Sequence, residues 1–83
     1  MDIRTKELIA IGASITASCQ PCLSYHVSKA KENGATEAEI SEAIAVGKMV
    51  RKGAQAKMDK FVLTVYKDAQ TGDNTLGEGC GTD

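Results

Sequence analysis

The chain has 83 residues, so it holds one domain at most, and a domain of this size buries only about 60% of the surface its unfolded chain exposes. Ten Lys and Arg against eleven Asp and Glu give a net charge of −1, which by itself argues neither for nor against a nucleic-acid partner. The ten bases against seven acids of residues 1–67 are too small an excess for a basic stripe, and no aromatic interleaving supports one. Tryptophan is absent, so the core must come from Ile, Leu, Val, Met and Ala.

The opening "MDIRTKELIAIG" lacks the basic, apolar and small-residue order of a secretion signal, and no apolar run reaches the length of a membrane span. These features predict a soluble, cytoplasmic protein. From Thr5 to Ala17 the pattern is that of a first helix. Leu8, Ile11 and Ile15 form its apolar stripe, and Ile9 widens it. A second helix opens near Cys19 and Cys22, with Pro21 suited to a first helical position, and stops at Asn33-Gly34. A third opens at "TEAE", where Thr36 and Glu39 have capping-box spacing. Its buried face is expected on Ile40, Ala43, Ile44, Gly47 and Val50. Gly53 is expected to break or bend the run before a fourth helical segment carrying Met58, Phe61, Val62 and Val65 on one side.

No alternating segment reads as a strand, so the fold class is all-α, a small helical bundle. After Lys67 the composition changes. Residues 68–83, "DAQTGDNTLGEGCGTD", carry four acids, no base and almost no large apolar side chains. They predict a flexible acidic Gly-rich tail beyond a helical domain of residues 1–67. Ile9, Met49 and Leu63 fall off the main stripes, so apolar surface faces more than one way, which points to self-association.

Two of the three cysteines and the single histidine fall within "CQPCLSYH", Cys19 to His26. On a helix Cys19, Cys22 and His26 share one stripe, because residues three and four apart are neighbours. A helix N-terminus favours thiolate, the nucleophilic form, and a nearby imidazole can take or return the proton. That is the chemistry of a dithiol–disulfide pair. Three cysteines fit a secreted disulfide framework poorly, and in a reducing compartment a close pair serves redox or metal chemistry. The alternatives are half of a Cys3His zinc site completed by Cys80, or small core cysteines without chemistry. Glu7 shares a side of the first helix with Ala10, Ile11 and Ser14. It is either a first-turn residue interacting with the helix dipole or an inward carboxylate able to relay protons.

Glu7, eleven residues, Cys19-Gln20-Pro21-Cys22, three residues and His26, followed by "GATEAEISEAIAVG", resemble the alkyl hydroperoxidase D-like core of the carboxymuconolactone decarboxylase family across roughly residues 5 to 66. The resemblance implies an all-helical fold that assembles into homo-oligomers, commonly trimers or hexamers. It implies peroxide reduction in which Cys22 attacks a hydroperoxide and Cys19 resolves, exposed to an external dithiol, a lipoylated or thioredoxin-like protein. His26 and Glu7 would form the proton relay, and no cofactor or metal is required. Pro21 stands where the family's best-studied peroxidase has a second histidine, and proline cannot relay a proton. The decarboxylase branch lacks the cysteine pair. The other readings of the same residues are a general disulfide reductase without peroxide preference, and a non-enzymatic oligomeric module that holds zinc or senses oxidants.

Overall fold

The computed structural model describes residues 1–67, and the expected tail, Cys80 included, lies outside the described residues. Among those residues the chain forms three helices in the order α1 (Ile3–Thr16), α2 (Gln20–Glu32) and α3 (Glu37–Val65), and no strand. None of these helices is long and apolar enough to cross a membrane. The chain divides into two compact units, the first Met1–Arg51 and the second beginning at Lys52.

Each helix starts or stops for an identifiable reason. Asp2 is the N-cap of α1, its carboxylate accepting the Thr5 N–H at 2.7 Å, so the helix begins two residues before the expected start. That bond, the largest influence on it, also holds the Asp2 carboxyl below its ordinary value. The capping box at α3 is present in both directions: Glu39 N–H donates to Thr36 Oγ1 at 3.1 Å, and Thr36 N–H donates to Glu39 Oε1 at 2.9 Å. At the end of α2, Gly34 takes φ 91°, the left-handed conformation glycine adopts without strain. Gly34 N–H then reaches Lys31 O at 3.2 Å and Ala35 N–H reaches Ala30 O at 3.0 Å, which is a Schellman motif.

The core of the first unit takes one residue from each helix: Ile11, Ala30 and Ile40 are buried, surrounded by Leu8, Leu23, Val27, Ala35, Ala43 and Ile44. α1 and α3 meet at Gly12 and Gly47. A Cβ on Gly47 would lie 2.6 Å from Gly12 O and 2.8 Å from Ile15 Cβ, so only glycine permits this approach. Thr16 Oγ1 donates to Gly47 O at 3.3 Å, Arg51 donates to Ile15 O at 3.3 Å, and Arg4 pairs with Glu39. The expected inward face of α3 therefore holds from Ile40 to Gly47, whereas Val50 is exposed.

The sequence-based break at Gly53 is not observed. α3 runs without interruption from Glu37 to Val65, one helix in place of two. A glycine inside a helix costs about 1 kcal/mol relative to alanine, and the Ala, Lys, Gln and Met residues around Gly53 are strong helix formers that offset it. Ile9 is exposed, off the buried stripe it was expected to widen. In the second unit Met58, Phe61 and Val65 lie on one side of the helix at 57%, 60% and 70% exposure.

Candidate active site

The site is built where α1 ends and α2 begins. Ala17 caps α1, and the next residue, Ser18, has φ 55°. Ser18 N–H donates to Ile15 O at 3.0 Å and Cys19 N–H to Ser14 O at 3.0 Å. These bonds form a second Schellman motif, here with serine at the left-handed position glycine usually takes. Cys19 is the last residue of that motif and also the N-cap of α2, with φ −101° and ψ 100°. It sits one position earlier than the first-turn placement expected. Pro21 lies in the first turn, where its missing N–H costs nothing. Leu23 N–H donates to Cys19 O at 3.0 Å.

Cys19 and Cys22 are joined as a disulfide with their Cα atoms 5.3 Å apart, inside the usual range for such bonds. His26 follows one turn beyond Cys22 on the same helix face. Its Nδ1 lies 2.6 Å from Glu7 Oε1 across the α1–α2 contact, with the two side chains 29% and 15% exposed. An ionised carboxylate only accepts hydrogen bonds, so in this pair the His26 Nδ1–H donates to Glu7 Oε1. α1 has no acidic residue in its first turn, since Glu7 lies beyond it, so the helix-dipole alternative for Glu7 does not hold. Its neighbours Ile11 and Ser14 are buried, and the inward orientation follows from that spacing.

The structure thus joins the four residues singled out from sequence in two pairs, Cys19 with Cys22 and Glu7 with His26. Two further residues shape the site. Ser18 fixes the backbone entering Cys19, and a positive φ at a serine leaves no sequence signal. Tyr25 and His26 meet in a T-shaped arrangement, ring centroids 5.0 Å apart at 82°, and Lys29 Nζ lies 5.8 Å from the Tyr25 centroid. The i, i+4 spacing of Tyr25 and Lys29 was the available signal. Among the described residues no group of three or more His, Cys, Asp or Glu side chains could hold a metal ion; Cys80, the third thiol of the zinc alternative, lies outside them.

The chain is 43% identical over 54 residues to "Uncharacterized protein 4 in cox locus" of Paracoccus denitrificans, an overlap of 65% of this chain and 49% of that protein. It spans about half the length of that curated relative, whose name assigns no activity. No solved structure matches the chain. The family model for carboxymuconolactone decarboxylases matches residues 1–61, a stretch that contains Glu7, both cysteines of the pair and His26. The chain belongs to the carboxymuconolactone decarboxylase family.

Proposed function

We propose that the protein is a thiol–disulfide oxidoreductase that reduces hydroperoxides, of the alkyl hydroperoxidase D-like type. The observation that carries this reading is the 2.6 Å Glu7–His26 pair one turn beyond the Cys19–Cys22 disulfide. In the proposed cycle the Cys22 thiolate attacks the outer oxygen of a hydroperoxide. The O–O bond breaks, the alkoxide takes from the His26 imidazolium the proton that His26 drew from the Cys22 thiol, and Cys22 is left as a sulfenic acid. Cys19 thiolate then attacks the Cys22 sulfur. The S–O bond breaks, water leaves after protonation, and the disulfide forms. An outside dithiol, lipoylated or thioredoxin-like, supplies the two electrons that reset the pair in a reducing compartment. Glu7 stabilises the charged imidazole while the proton is in transit.

The reading also takes the protein as a homo-oligomer, trimer or hexamer. The small core of the first unit and the exposed Met58, Phe61 and Val65 support this, because such side chains gain stability only when covered. A second reading, a general disulfide reductase, draws support from Pro21, which offers no proton at the position between the cysteines. Peroxide consumption coupled to a dithiol reductant tests the proposal, with reduction of an unrelated protein disulfide measured alongside. Peroxide turnover that vanishes in Cys22→Ser is expected. Disulfide reduction without peroxide turnover would leave the second reading.

A further inference from the structure

The cycle requires two thiols to lose protons, yet the chain has one histidine, and that histidine is committed to Glu7. A second means of holding a thiolate would spare that histidine the second deprotonation. The start of α2 contains one. Counting from the N-cap Cys19, the first three helical residues are Gln20, Pro21 and Cys22. The first N–H groups of a helix have no acceptor within it, and a capping side chain ordinarily accepts from the second or third. Pro21 at the second position has no N–H to give, so the Cys22 amide is the donor left for a cap. In the disulfide form Cys19 makes no side-chain cap bond. Opening the disulfide releases its sulfur at the one position from which a side chain reaches that amide.

We infer that in the reduced protein Cys19 is held as the thiolate and caps α2 by accepting the Cys22 N–H, leaving the Glu7–His26 pair to serve Cys22 alone. The role deepens the proposed function and rests on it only for its use. A Cys19 already ionised attacks the Cys22 sulfenic acid without waiting for a base. The Schellman bonds at Ser18 and Cys19 hold the N-cap in place while the sulfur changes partner, because they involve the backbone alone. Among the charged and titratable groups near this corner are His26 on α2, Glu7 on α1, Arg51 on α3 and Tyr25 beside His26. The first two pair with each other, and Arg51 donates to Ile15 O in the last turn of α1.

Two single-thiol proteins test this, Cys22→Ser/Cys80→Ser and Cys19→Ser/Cys80→Ser, with their fold checked by circular dichroism. Thiolate absorbance is followed against pH. Cys19 should titrate about one pH unit or more below the ~8.5 of free cysteine. Adding Pro21→Ala to the Cys19 protein restores a second donor and should lower that midpoint further. Adding His26→Gln should leave the Cys19 midpoint where it is while moving that of Cys22. A Cys19 midpoint at or above the free value overturns the inference, and so does one that follows His26→Gln. No peroxide is used, so failure of peroxide turnover and failure of the cap are read separately.

Discussion

Replacing Glu7 by Gln separates the proton relay from a contact that merely steadies two helices. Glutamine keeps the size of the side chain, and its carbonyl can still accept the His26 Nδ1–H, but it carries no charge. A hydrogen bond to a charged group contributes roughly 1.5–3 kcal/mol and a neutral one about 1 kcal/mol. With Glu7 and His26 at 15% and 29% exposure and 2.6 Å apart, the difference should cost about 1 kcal/mol. For a chain of this size that lowers Tm by about 4–8 °C. A double-mutant cycle of Glu7→Gln with His26→Gln should return a coupling of about 1 kcal/mol in urea melts. Peroxide turnover should fall by roughly 10²–10⁴-fold in either single variant, the usual contribution of a positioned acid–base group. The double variant should be little worse, because the two side chains act as one unit. Normal peroxide kinetics in well-folded Glu7→Gln would refute the relay even if the coupling were found. A coupling near zero would refute the pairing itself.

Three further outcomes are expected. Gly47→Ala should destabilise the protein by roughly 1–3 kcal/mol in urea titration, because the new methyl meets Gly12 O and Ile15 Cβ, neither of which is the end of a flexible side chain; unchanged stability would show that the α1–α3 approach is looser than described. Ser18→Gly should raise stability by roughly 0.5–1 kcal/mol by relieving the left-handed serine, with thermal melts as the check and a loss of stability as the contrary result. The Thr36 N–H, first, and then Arg4 hold the Glu39 carboxyl below its ordinary value. The stabilisation this depressed carboxyl gives is complete above the unfolded glutamate value of ~4.3 and is lost as pH falls through the lower folded value, so Glu39→Gln should flatten the acid limb of a stability–pH curve.

Much of the site was legible because its parts obey local rules. Cys22 and His26 share a face by helical spacing alone, and the capping box at Thr36 and the Asn33-Gly34 stop are written in adjacent residues. The partner of Glu7 was harder to see, since spacing supplied its inward face but the fold supplied the contact with His26 nineteen residues away. Gly53 is a breaker by local rules, whereas the good helix formers around it outweigh a penalty of about 1 kcal/mol. Gly47 was assigned to the buried face, but its approach to Gly12 depends on how two helices cross, which no window of sequence contains. Ser18 was invisible for a different reason: its left-handed backbone is imposed by the two bonds that close α1.

The turn from α1 to α2 has no slack, because Cys19 finishes one helix's cap and begins the other's. The phase of α2 about its own axis is therefore counted out from α1 residue by residue. One residue inserted between Ser18 and Cys19 would turn α2 by about 100° relative to α1, carrying His26 off the face that meets Glu7 while leaving every helix able to form. Loops elsewhere in proteins absorb insertions at little cost. Here the connection works as a gear tooth, so changes in length at this point should abolish the Glu7–His26 meeting long before they unfold the chain.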